Sequence, residues 1–338
     1  MMGLKEFRGM KKEIKIYIII ISITAVSLGF SHSIISNYLK DVYDVTAFQR
    51  GIIEFPRELP GILTILVLGA LSFLHDIRVA IVAQILGFIG VMALGLLTPS
   101  FSIMLVFLFI NSMGMHLFKP LSDSIAMSLV EDENLGKRMG QFKGIYTMFT
   151  MVAALIIFAG FRTNIFDFTT KIKWPFILSG GLSLVAIGFL IYLHKISHIP
   201  STPKQKMKYV YRKEYKLYYM LVILFGVQKQ IMLVYGPWVL IELLDKKADT
   251  LAMLAIIGSF IGIFFIPTLG RWLDKYGVKK LLYLDGISFV VVYLLFGILT
   301  AGYVSGYIPT AGLAVFLAYA MIVVDKMSTQ MTFIRTVY

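Results

Sequence analysis

The chain has 338 residues, 58% of them hydrophobic and only 15% charged, with a mean hydropathy of +0.81. A soluble domain of this size cannot cover so much apolar side chain, so the composition excludes that class and points to an integral membrane protein. Cysteine is absent, which excludes disulfides, thiolate metal sites and thiol catalysis, and the net charge of +13 gathers in particular loops, where it reads as a topology signal and not as a nucleic-acid surface.

The amino terminus "MMGLKEFRGMKKEIK" is basic and leads into "IYIIIISITAVSLGFSHSIISNYL". That run is too long for a signal core and lacks a small-residue cleavage site, so it predicts a retained first span. Counting onward, ten apolar runs are predicted as spanning helices, at about 14–39, 46–74, 77–97, 102–130, 140–161, 174–194, 217–244, 251–273, 281–303 and 312–334. The longest polar interval, within 195–216, is rich in lysine and carries Pro200 and Pro203. It reads as a solvated linker touching anionic lipid and divides the chain into an amino-terminal six-helix bundle (1–194) and a carboxy-terminal bundle (217–338). With the amino terminus inside, Lys137, Arg138, the linker and "GRWLDKYGVKK" all fall on the inner side, while Arg162, Lys171 and Lys173 are a local exception.

Between the eighth and ninth runs stand Gly270, Arg271, Trp272, Leu273, Asp274, Lys275, Tyr276, Gly277, Val278, Lys279 and Lys280. A glycine, an aspartate four residues on, a second glycine and then basic residues form a pattern that resembles the loop signature of the major facilitator superfamily. The resemblance implies an all-α fold of two pseudo-symmetric six-helix bundles. Six runs plus four then leads us to expect two further helices beyond Tyr338. It also implies a conformational latch, with Gly270, Arg271, Asp274, Gly277, Lys279 and Lys280 forming a short turn and Asp285 joining from the ninth span. The corresponding first-half stretch, "GALSFLHDIRVA", departs from the pattern: Phe73 stands at the aspartate position and Asp76 falls three residues late. The fifth span lacks the glycine-proline pattern of the family's drug:proton antiporters.

Charges occur at membrane depth. In "EFPRELP" of the second span, Glu54, Arg57 and Glu58 sit within five residues; the fourth span carries His116, Lys119 and Asp123, the seventh Lys229, the tenth Asp325 and Lys326. An ionised side chain there costs about 2.5 kcal/mol or more, so such groups face a bundle interior or a hydrated cavity and find partners. Glu54 with Arg57, and Lys119 with Asp123, share helix faces at i,i+3 and i,i+4. Either they are structural ion pairs holding helices in register, a reading given equal standing for Arg57, or they serve turnover. The resemblance implies that helices one, four, seven and ten line a central cavity and two flanks it, which is where these residues fall. His32 and Asn37 in the first span, with Gln228 beside Lys229 and His116, are candidates either for substrate hydrogen bonds or for packing. Trp238, after Pro237, reads first as an interfacial anchor.

The leading expectation is a secondary active transporter of a small solute, probing both faces by alternating access and coupled to protons. Glu54, Glu58, Asp123 and Asp325 are the protonation candidates, and His32, Asn37, His116, Lys119, Gln228, Lys229 and Lys326 the substrate-cavity candidates. The expected partners are that small-molecule substrate, protons and membrane lipids, with no nucleic acid, in a monomer of the cell membrane; no metal, cofactor or catalytic residue is expected. A membrane sensor or assembly protein on the same scaffold is the alternative reading. An enzyme is disfavoured because no HExxH, Walker-type glycine loop or GxSxG occurs.

Overall fold

The computed structural model describes residues 7–130, 135–197 and 212–330; within helices, the side chains at 135–137, 225, 266–267, 270, 273–274, 278 and 328–330 lie outside that description. Nine long helices occupy the described residues: α1 (Lys12–Tyr43), α2 (Ala47–Ala70), α3 (Asp76–Leu96), α4 (Phe101–Leu129), α5 (Leu135–Arg162), α6 (Trp174–Ile196), α7 (Lys216–Glu242), α8 (Ala248–Ser305) and α9 (Leu313–Gln330). No strand occurs among those residues. Within the described residues each of the ten expected runs overlaps a helix, and eight segments there are long and apolar enough to cross a membrane. The chain is therefore a multi-pass helical membrane protein. The chain divides into two compact units, Met1–Val210 and Tyr211–Tyr338.

In the first unit α1 is the buried axis. Its sequence is apolar on all sides, and it packs against α4, α5 and α6. Ile14, Ile20, Ile21, Ile77, Ala80, Leu117, Leu121, Phe142, Leu190 and Leu193 form the core it shares with α3 to α6. Small residues set the helix spacing. At Gly114 an added Cβ would lie 2.4 Å from the Ala83 carbonyl and 2.5 Å from the Gly87 nitrogen, so α3 and α4 meet backbone to backbone. Between α1 and α6, Ser27 Oγ donates to Ser179 O at 2.8 Å, and Ser179 Oγ returns a bond to Ser27 O at 2.8 Å.

Three turns close one end of this bundle. Asp44 takes a left-handed conformation (φ 46°) that ends α1, Tyr43 Oη donates to Pro99 O at 2.7 Å, and Lys173 N donates to Gly95 O at 2.9 Å. Thr46 then opens α2 with a capping box, its hydroxyl accepting from Gln49 N while Gln49 Oε1 accepts from Thr46 N. Of the three basic residues predicted as an exception at this end, Lys173 is satisfied locally. Lys173 is buried and donates to Phe168 O at 2.8 Å and to Thr170 O. Asp167 accepts from the amides of Thr169 and Thr170, and chiefly the Thr170 bond holds its carboxyl below the ordinary range.

The second unit packs α7, α8 and α9 around Met232, Leu240, Leu254, Phe296, Leu299, Ala318 and Ile322. The multi-residue turn expected at "GRWLDKYGVKK" is reduced to a single point: helix continues on both sides and only Gly277 leaves it, at φ 77° and ψ 160°. Those dihedrals belong to a region that essentially only glycine enters, so one residue breaks the tract. Trp238 is likewise not an interfacial anchor; it is 2% exposed within α7.

Candidate functional site

The charges of α2 come together along its own face. Arg50, one turn before Glu54, has a fully buried side chain and contacts the Glu54 carboxylate. Arg57 Nε lies 3.1 Å from the other Glu54 oxygen, and Arg57 Nη2 donates to Glu58 Oε1 at 3.2 Å. Two guanidiniums and two carboxylates thus alternate over two turns, which gives net neutrality before any other helix is reached. Two contacts tie this strip to α4. Ser112 Oγ donates to the Arg57 carbonyl, and His116 Nε2 lies 3.6 Å from Glu58 Oε2. Pro56, Pro60 and Pro120 interrupt the ladders of α2 and α4 in this region, each withholding the amide that the carbonyl four residues earlier would use. Glu54 is the more enclosed carboxylate, and Glu58 is 38% exposed along its side chain.

Next to this strip, α1, α4 and α5 enclose a half-open cavity of about 400 Å³. Tyr17 and His32, about 22 Å apart along α1 at ~1.5 Å per residue, mark its ends. Lys119, Asp123 and Lys143 supply its charge, and Phe118, Phe142 and Tyr146 its aromatic wall. Asp123 Oδ1 accepts from Lys143 Nζ at 2.7 Å, an α4–α5 tie. Tyr17 Oη bonds both the carbonyl and the hydroxyl of Ser122 at 2.8 Å, and its ring meets Phe142 edge-on at 5.1 Å. His32 Nε2 lies 2.9 Å from Met115 Sδ at the inner wall.

In the second unit the polar centre is organised by Tyr293 of α8. Its hydroxyl donates to Gln228 O of α7 at 2.7 Å and lies 3.3 Å from Asp325 Oδ1 of α9. Asp325 is buried, and both Lys326 and Lys229 are close enough to act on it electrostatically. The Lys326 stem lies over Gly258 of α8.

Among the predicted residues, His32, Lys119 and Asp123 share one cavity; Glu54, Arg57, Glu58 and His116 share one polar strip; and Gln228, Lys229, Asp325 and Lys326 belong to one cluster. Asn37 stands apart, 1% exposed between packed helices and lining none of these cavities. Of the latch residues, Arg271 Nη2 donates to Thr268 Oγ1 at 3.0 Å, Lys279 and Lys280 are exposed, and Asp285 is buried. The side chain of Asp274 and the surroundings of Gly270 lie outside the described residues. Three functional-looking groups escape the sequence reading. Arg50 is legible in the Arg50/Glu54 spacing, Lys143 only once α5 is known to face α4, and Tyr293 gives no sequence signal at all.

Helices long enough to span a bilayer, with charge buried inside the bundle and a cavity between them that carries ionisable groups on a largely apolar lining, define the class as a helical membrane transport protein. A sequence profile of the Major Facilitator Superfamily matches residues 16–338, and the chain belongs to that superfamily. No curated protein matches the sequence significantly. Solved structures similar in fold include the nucleoside transporter NupG (TM-score 0.72, 17% identity, covering 97% of this chain and 82% of that one). An auto-inhibited POT family peptide transporter is also similar (0.66, 15%, 96% and 82%), as is a D-xylose-proton symporter (0.62, 15%, 95% and 80%).

Proposed function

We propose that the chain carries a small solute across the membrane by alternating access, with proton movement coupled to turnover through Glu58 and Asp325. The observation that carries this reading is the contrast within α2. Glu54 is clasped by two guanidiniums, which favours a structural role. Glu58 has one guanidinium and the nearby His116 ring, and it is open enough to exchange a proton as water reaches it from one side or the other. Asp325 has matching features in its own unit, with a neutral hydroxyl donor and two lysines around a buried carboxylate. The name of one structural neighbour, a D-xylose-proton symporter, agrees with the choice of coupling ion.

Uptake into proteoliposomes under an imposed proton gradient tests the scheme, beginning with nucleosides, short peptides and pentoses. Glu58→Gln and Asp325→Asn should each abolish gradient-driven accumulation while leaving downhill exchange. If both variants accumulate solute like the parent protein, the coupling assignment is wrong.

A further inference from the structure

The first-unit cavity lies where two groups of helices stand apart. α2 and α3 pack on α4, while α5 and α6 pack on α1, and the two groups are joined chiefly by α3 against α6. That joint is tight. An added Cβ at Gly180 would lie 2.4 Å from Met92 Sδ, and one at Gly95 would lie 2.8 Å from Ile177 Cδ1. Its two ends are bonded as well, Lys173 N donating to Gly95 O at 2.9 Å and Arg78 Nε to His194 Nε2 at 3.0 Å. On the opposite side α4 barely meets α1 or α5, and the cavity of about 400 Å³ occupies the gap.

Two ties cross that gap from one point of α4. Tyr17 Oη of α1 donates to Ser122 O at 2.8 Å, and Asp123 Oδ1 accepts from Lys143 Nζ of α5 at 2.7 Å. Because Ser122 and Asp123 are consecutive, a single turn of α4 is held to both facing helices. The side chains of Lys143 and Asp123 are 55% and 38% exposed although both line the cavity, which sets them at its mouth. An ion pair so exposed shifts an equilibrium by only about 2–5-fold, and a tyrosine hydrogen bond by about 2–10-fold. Ties of that strength break and re-form readily, whereas the close-packed α3–α6 joint on the other side does not.

We propose that Tyr17–Ser122 and Asp123–Lys143 are a clasp on the mouth of the cavity, opening and closing it between α4 and α5 while the α3–α6 joint stays fixed. The purpose of such a clasp, admitting and retaining solute, rests on the carrier reading; its geometry does not. It makes Tyr17, Ser122 and Lys143 gating residues, apart from the proton-coupling roles of Glu58 and Asp325, and it places the moving contact inside one bundle.

The chain contains no cysteine, so Thr150→Cys, on the α5 wall of the cavity, introduces a single reporter thiol. Its rate of reaction with a bulky charged maleimide, measured on the full chain in lipid nanodiscs, reads how often the mouth is open. In this background Lys143→Gln should raise the rate about 2–5-fold, Tyr17→Phe about 2–10-fold, and the two together at least about fourfold. The exchanged pair, Asp123→Lys with Lys143→Asp, should return the rate to that of the parent protein, which a variant that merely loosens the fold would not do. Labelling of Lys143→Gln at the parent rate, or an exchanged pair that labels as fast as Lys143→Gln, would overturn the proposal; these two variants decide it even if Tyr17→Phe fails to fold. Labelling that responds as described in a protein that moves no solute in proteoliposomes would leave the clasp standing and remove the carrier reading. Gradient-driven accumulation with labelling indifferent to the clasp would do the reverse.

Discussion

Replacing Arg50 by methionine perturbs the α2 strip at its most buried point. The Arg50 side chain is 1% exposed and contacts a Glu54 carboxylate that is itself 11% exposed. At the 3.1 Å separation of the neighbouring Arg57–Glu54 pair, a unit-charge interaction is worth about 5 kcal/mol with an effective dielectric constant of about 20. Desolvation offsets much of that while the pair is intact, but breaking a buried pair leaves the surviving charge without compensation and typically costs ~3–5 kcal/mol. Arg50→Met should therefore destabilise by about 3 kcal/mol, since Arg57 still attends Glu54. Glu54→Leu should cost a similar amount, because it leaves two guanidiniums facing each other. The double variant removes one charge of each sign, keeps the Arg57–Glu58 contact, and should be within about 1 kcal/mol of the parent. Folded fraction against denaturing detergent in mixed micelles, followed by circular dichroism and by protease resistance, gives the four corners of this cycle. Single-variant losses under about 1 kcal/mol, or losses that simply add in the double variant, would refute the claim that these charges exist to neutralise each other.

Other consequences are sharper in direction than in size. Gly277→Ala should lose ~1–3 kcal/mol although nothing lies within 4 Å of the added Cβ, because the loss is conformational; Gly286→Ala, in open helical surroundings, should gain up to ~1 kcal/mol in the same unfolding assay. Gly114→Leu should lose more than ~3 kcal/mol, or fail to fold, since even its Cβ meets the α3 backbone. Asp167→Asn tests the turn before α6. The native carboxyl is depressed by amide donors, so its stabilisation is complete above the ordinary carboxylate value and disappears as pH falls through the depressed folded value. Amide exchange at Thr169 and Thr170 should be slower in the parent protein near neutrality and converge with the variant in acid. Tyr293→Phe removes the donor shared by Gln228 O and Asp325, and should impair gradient-driven accumulation more than it lowers stability.

The order of the helices was legible because hydrocarbon imposes one uniform demand on every helix, and residue composition records it directly. The positions of the deep charges were legible for the same reason, as violations of that demand. Their partners were legible only within a helix, where i,i+3 and i,i+4 spacing decides, as for Arg57 with Glu54. Partners across helices depend on rotation about each axis. Asp123 meets Lys143 because α5 turns that lysine toward α4, and nothing in the α4 sequence encodes it. Tyr293 is hidden for a further reason: "SFVVVYLLFG" is an ordinary apolar run, and its hydroxyl becomes notable only when α7 and α9 bring a carbonyl and a carboxylate to it. At the expected latch the motif specifies which residues are present, whereas the single backbone excursion at Gly277 specifies the shape.

The segment Ala47–Ala70 exposes the limit of apolarity as a criterion. It is not among the eight segments apolar enough to span, because Glu54, Arg57 and Glu58 crowd its middle. Yet it is helical throughout, seats Ile53 in the protein and turns Phe48, Ile52, Phe55 and Ile62 outward. What a membrane penalises is uncompensated charge, and a strip whose acids and bases cancel along one helix removes most of that penalty before the helix meets a neighbour. Charge balance along one helix therefore lets ionisable groups sit within a bundle. A strip that sums to zero has already found its partners and holds helices together.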